Sequence, residues 1–136
     1  MAVVLLDTSV ASLFLPHRRL RPERSLYEPH LTGHTLALSF QSVAELWKLA
    51  EKNSWSEARR IGLDAFVRRF LVIPYDYELA RMWARVSAHE ERIGRALDAA
   101  DAWILATAVH RSLTLYAHDS DFLDRTTPGL AVISFL

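Results

Sequence analysis

In the run Asp98-Ala-Ala-Asp101-Ala-Trp-Ile-Leu-Ala-Thr-Ala108, two acids stand at helical i, i+3 spacing. That spacing puts both carboxylates on one face, about a turn apart. The run is rich in Ala and Leu and forms helix readily. Trp103, Ile104, Leu105 and Ala108 make much of its remaining surface apolar, so the helix is expected to be largely buried. Asp is rarely buried unless it is paired or bound to a metal. Asp98, at the helix start, reads as an N-cap or as a ligand. For Asp101, three residues on, the ordinary alternative is a favourable contact with the helix dipole. Asp7, Glu45 and Asp119 are three further acids spread along the chain. Carboxylates that converge repel one another and acquire raised pKa values unless a cation lies between them. With no cysteine in the chain, hard oxygen donors favour Mg2+ or Mn2+ over zinc. Two such ions, held about 3.5–4 Å apart, stabilise the attacking and leaving oxygens of a phosphodiester.

These acids need elements to position them. Val3 to Leu6 is a short, partly β-branched apolar run that reads as a strand buried on both faces, and residues 10–15 resume at helical spacing. Asp7 therefore falls at the C-terminal end of a strand, just before a helix, where parallel α/β sheets bind ligands. Capping by Asp7, Thr8 or Ser9 is the ordinary alternative, but one cap suffices and three candidates are present. Residues 35–38, 71–74, 113–116 and 130–135 read as further strands, and Asp119 again falls just past one of them. Capping of a short turn is the alternative for both Asp119 and Asp121. Between the strands, helices are expected through Tyr27 and His30, over residues 39–50, from Ser54, from Asp76 to about Glu91, and from Asp98, with Gly94 past the end of the fourth. Ser42-x-x-Glu45 matches a capping box. If the helix begins at Ser39 instead, Glu45 lies too deep to cap and sits beside the core. Ser54-x-x-Glu57 is a second capping-box match. Strands alternating with helices argue for a parallel sheet covered on both faces, a doubly wound α/β domain.

The chain has 136 residues, 51% of them hydrophobic, which suits one domain with a substantial core. The opening residues lack a basic leader, and the absence of cysteine fits a reducing cytoplasm. The formal net charge is zero, giving no global case for nucleic-acid binding, and Lys48 and Lys52 are the only lysines among 16 basic residues. Arg offers a donor fork suited to phosphate, although genomic base composition produces the same bias. The basic loop at 16–25, with Arg18, Arg19 and Arg21, reads either as a solvated connection or as a landing site for a polyanion.

Four segments agree in order and spacing with one family: the opening Val-Leu-Leu-Asp7-Thr-Ser, Ser42-Val-Ala-Glu45-Leu, Ala100-Asp101-Ala-Trp-Ile-Leu-Ala-Thr-Ala, and His118-Asp119-Ser-Asp-Phe122. Over essentially its whole length the sequence resembles the PIN-domain ribonucleases, and among them the VapC-type toxins of bacterial toxin–antitoxin pairs. The resemblance implies a single PIN-like three-layer domain over residues 1–136, with a central parallel sheet of about four to five strands flanked by helices. It implies metal-dependent endonucleolytic cleavage of RNA, leaving a 5′-phosphate and a 3′-hydroxyl. By match to the motifs, Asp7, Glu45, Asp101 and Asp119 are the metal-site acids, with Asp7 and Asp101 holding the principal Mg2+. Asp121 is an auxiliary ligand, Asp98 has no assigned counterpart, and Thr8 or Ser9 would orient water or a ligand carboxylate. Arg18, Arg19 and Arg21 would meet flanking phosphates. The implied partners are a cognate antitoxin occluding the acidic cleft and a second copy of the chain. The sequence departs from the family at Ala117, where a Thr is common.

Two rival classes carry less of the pattern. A receiver domain wants paired acids after the first strand and a late Lys, and an aspartyl-phosphate phosphatase wants Asp-x-Asp, whereas residue 9 is Ser. A non-catalytic module that keeps the fold has no need of all four acids.

Overall fold

A computed structural model describes residues 2–16 and 19–136. Among these, β1 (Val3–Leu6), β2 (Thr35–Ser39), β3 (Leu71–Ile73), β4 (Leu115–Tyr116) and β5 (Val132–Ile133) form a wholly parallel sheet in the order β3-β2-β1-β4-β5. The helices are α1 (Thr8–Ser12), α2 (Arg24–Leu31), α3 (Phe40–Lys52), α4 (Glu57–Val67), α5 (Tyr77–Arg92) and α6 (Ala99–Arg111). None of them is long and apolar enough to cross a membrane.

Strand alternation divides the core between the two faces of the sheet. Val4 and Leu6 of β1 pack with Val10, Tyr27, Leu38, Leu46, Leu63 and Phe66 on one side. Leu5 faces the other way and packs with Ala37, Leu79, Val86, Ile104, Leu105 and Leu115. The result is three layers, with α3 and α4 contributing to one outer layer and α5 and α6 to the other. Both faces of β1 are covered, which is why its residues read as a continuous apolar run rather than an alternating one. Truncating a side chain such as Leu105, fully buried here, costs about 2–5 kcal/mol in cores of this kind.

The strand order places the site. The chain builds β1, β2 and β3 outward to one side, then returns to lay β4 against the other edge of β1. The register Leu5↔Leu115 and Leu6↔Tyr116 brings the C-terminal ends of β1 and β4 level. This junction is the switch point at which parallel sheets leave a crevice.

Local starts and stops differ from expectation in several places, among them the first helix, expected over residues 10–15 and observed as Thr8–Ser12 with Asp7 as its cap. The Ser42–Glu45 capping box does not form. Ser39 caps α3 by accepting from the Ser42 amide at 3.1 Å, so Glu45 lies in the second turn. Likewise, α4 begins at Glu57 with Ser56 as its cap, while Ser54 adopts a left-handed conformation (φ 50) in the preceding turn. Gly94 ends α5 as expected, at φ 75, a conformation Gly adopts without the steric cost of a Cβ. The last two strands are shorter than the apolar runs that contain them, because only residues 115–116 and 132–133 pair as strands.

Candidate active site

Asp7 follows β1 directly and caps α1. Its Oδ1 accepts from the Val10 amide at 2.8 Å and its Oδ2 from Ser9 Oγ at 2.6 Å. The cap is real, yet the residue is 2% exposed and lines a cavity of about 240 Å³. Thr8, Ser9, Glu45, Asp101, Ile104, Asp119 and Phe122 complete the cavity wall. Four acids separated along the chain therefore open onto one space at the β1–β4 junction. No Arg or Lys is among the described residues that line it.

Each acid arrives by a different route. Glu45 reaches the cavity from the second turn of α3, where Thr8 Oγ1 donates to its Oε2. The same Thr8 oxygen lies 2.9 Å from Ser42 Oγ, so α1 and α3 are tied together beside the carboxylate. Gln41 Nε2 approaches Glu45 Oε1 at 3.4 Å, and the Tyr75 hydroxyl donates to Gln41 Oε1 at 3.1 Å. Burial, followed by the charge of Glu45, pushes the Tyr75 hydroxyl up to about 12. Asp101 projects from the first turn of α6. Asp98 is that helix's N-cap, with its Oδ1 2.8 Å from the Asp101 amide. Of the two acids at i, i+3 spacing, then, Asp98 caps at the exposed helix end and Asp101 lines the cavity.

Asp119 follows β4 and caps a 3₁₀ turn at Ser120–Phe122, accepting from the Asp121 amide at 2.9 Å. Asp121 lies beside these acids. Asp101, Asp119 and Asp121 bring one carboxylate oxygen each to within 4.8 Å of one another. The site thus has two overlapping parts, the buried pocket with Asp7 and Glu45 and an outer trio with Asp121, sharing Asp101 and Asp119.

Burial and neighbouring carboxylates set the electrostatics of the site. Burial, opposed in part by donors from Ser9, Val10 and His118 and reinforced by the charge of Asp119, raises Asp7 to about 6. Burial raises Asp101 to about 7, with the charges of Asp98, Asp119 and Asp121 adding to the effect.

Sequence reasoning missed the pins behind the acids. Tyr27 of α2, fully buried, donates to the Ala117 carbonyl at 3.1 Å and lies 2.6 Å from His118 Nδ1. The His118 amide in turn donates to Ser9 Oγ at 3.2 Å. Neighbouring acids are thereby joined through main chain and hydroxyls. Ala117 is itself fully buried. Of the three arginines expected near phosphates, Arg18 lies outside the described residues. Arg19 and Arg21 are exposed and do not line the cavity, and Arg21 Nε lies 3.6 Å from Glu23.

The sequence model of the PIN domain family matches residues 4–127. The chain belongs to the PIN domain family. Within it, the chain is 32% identical over 123 residues to Ribonuclease VapC5 of Mycobacterium tuberculosis, covering 89% of this chain and 86% of that protein. It is 29% identical to Toxin FitB of Neisseria gonorrhoeae, over 87% of this chain and 88% of FitB. Among solved structures, VapBC2 from Rickettsia felis, bound to a DNA fragment from its promoter, superposes with a TM-score of 0.78 at 20% identity. That alignment covers 98% of both chains and speaks for the fold.

Proposed function

We propose that this chain is a divalent-metal-dependent endoribonuclease and the toxin of a toxin–antitoxin pair. The observation that carries the reading is the single cavity lined by Asp7, Glu45, Asp101 and Asp119 with no basic side chain in its described wall. An all-oxygen donor set of this kind suits Mg2+ or Mn2+. Asp7, Asp101 and Asp119 would hold the ion, with Glu45 and Asp121 completing its surroundings. A bound Mg2+ or Mn2+ there supplies charge stabilisation at the phosphodiester and a lowered pKa for water. The relatives named for ribonuclease and toxin activity, aligned over nearly the whole chain, support the substrate class.

The chain's own groups prepare that chemistry. Val10 and Ser9 fix both oxygens of Asp7, so its orientation costs nothing when a ligand arrives. Thr8 and Gln41 hold Glu45 and restrict its rotation. Without a cation, Asp101 keeps a proton for much of the time near neutral pH, because its pKa lies near 7. Ligation then requires that proton to leave. Arg19 and Arg21 would meet flanking phosphates from the segment before α2. The similar solved structure of VapBC-5 from Mycobacterium tuberculosis, a member of a family of toxin-antitoxin systems, supports a cognate antitoxin as partner. A second copy of this chain as a further partner, and a cytoplasmic setting, belong to the same proposal.

The test is cleavage of single-stranded RNA by the purified protein. Mg2+ or Mn2+ should support cleavage and EDTA should stop it. Asp101→Asn, which keeps the helix start intact, should reduce turnover by at least about a thousandfold. Undiminished cleavage by Asp101→Asn, or by wild type in EDTA, would falsify the proposal.

A further inference from the structure

The segment that carries Asp119 and Asp121 has little regular structure. Beyond the 3₁₀ turn, residues 123–131 form neither helix nor strand. Two buried side chains supply the missing order. Glu90, in the last turns of α5, is 0% exposed, and the Arg125 side chain is 5% exposed. Arg125 NH1 lies 3.8 Å from Glu90 Oε1. The same guanidinium donates through Nε to the Asp121 carbonyl at 2.5 Å and through NH1 to the Arg95 carbonyl at 2.7 Å. Thr127 Oγ1 donates to Glu90 Oε1, and His89 Nδ1 lies 3.2 Å from Glu90 Oε2. A buried carboxylate is tolerated only when charge and hydrogen bonds are matched this fully.

We infer that Glu90 and Arg125 are positioning residues of the acidic site. Helix α5 packs along α6, the helix that carries Asp101. Glu90 and Arg125 fasten the Asp121 main chain to α5, and so set Asp119 and Asp121 in register with Asp101. The guanidinium is needed because one planar fork reaches two carbonyls and a carboxylate together, which an ammonium on a flexible stem does not reproduce. The inference rests on the metal-dependent reading above.

Arg125→Lys and Glu90→Gln test it, with Arg60→Lys as the comparison. Arg60 also binds main-chain carbonyls, those of Trp55 at 2.9 Å and Ala50 at 3.4 Å, but within the other core. Three quantities are measured: Mn2+ affinity by electron paramagnetic resonance without RNA, the Mg2+ concentration for half-maximal cleavage, and Tm. Arg125→Lys and Glu90→Gln should weaken Mn2+ binding about tenfold or more and raise the Mg2+ requirement in parallel. Saturating Mg2+ should return most of the turnover. Arg60→Lys should lower Tm and leave metal affinity where it was. Glu90→Gln keeps the oxygen that Thr127 uses, and decides the matter if Arg125→Lys does not fold. Wild-type metal affinity in the folded variants overturns the inference alone. A wild-type protein that neither binds Mn2+ nor cleaves RNA removes the metal-dependent reading, and the inference with it.

Discussion

Glu90 and Asp7 are both nearly sealed from solvent, at 0% and 2% exposure, and the chain matches them in opposite ways. Around Glu90 it gathers a guanidinium, a hydroxyl and an imidazole. Around Asp7 it offers only neutral donors, and the charge that acts on Asp7 is another carboxylate, Asp119. An acid that ties segments together is neutralised by the protein itself. Among the described residues, no Arg or Lys lines the cavity with its acids, and the pKa values of Asp7 and Asp101 are raised. Under the proposed function, a divalent cation would supply the charge that these groups lack.

The sharpest way to break this comparison is to remove one acid from each region. Glu90→Ala leaves Arg125 buried without its counter-charge and should cost about 3–5 kcal/mol in denaturant unfolding. Asp7→Asn keeps an acceptor for the Val10 amide while removing a charge that burial disfavours. In EDTA at pH 8 it should unfold at a higher temperature than wild type. If both substitutions destabilise alike, the two regions do not differ as argued.

A smaller effect follows from pH. In the unfolded chain Asp7 and Asp101 return to about 3.8, whereas in the folded metal-free protein they stand at about 6 and 7. Between those values the folded state binds more protons, so this part of the stability is present at low pH and is lost as pH rises through 6 and 7. In EDTA, the Tm advantage of Asp7→Asn over wild type should therefore be small near pH 3.5, already be more than half developed at pH 5, and level off above about pH 7. Mg2+ or Mn2+ should raise the wild-type Tm at pH 8 and reduce that difference. Calorimetry across the range checks both statements. The smallest effect belongs to Asp98→Asn, which keeps the cap on the Asp101 amide and removes one neighbouring charge. The acid limb of the pH–rate profile should move down by roughly a few tenths of a pH unit.

The site acids were legible where local pattern fixes position. Asp7 and Asp119 each follow an apolar run that can only be a strand, and a parallel sheet sends both to one edge. Asp101 was legible because the helix around it is too apolar to face water. Glu45 was ambiguous, since Ser39 and Ser42 are both plausible caps and the choice moves Glu45 from the helix end to the cavity wall. The structure decides for Ser39. The approach of Asp121 to Asp101 was not legible, because the two come from different elements and no local spacing encodes it. Glu90 and Arg125 gave no signal at all. Glu90 sits in the run His-Glu-Glu-Arg at 89–92, which reads as a solvated helix end, and its partner lies in a loop. Pairing between distant side chains leaves no periodicity to find.

The pairing of β1 with β4 has a consequence for synthesis. Asp7 is made well before its neighbour Asp119, with β2, β3 and five of the helices encoded between β1 and β4 after α1. They meet only after β4 has emerged and settled beside β1. A ribosome part-way through this message therefore displays Asp7, Glu45 and Asp101 before Asp119 can join them. A product that ends before β4 lacks Asp119 and Asp121, so the four-acid cavity cannot form in it however well its remaining helices form.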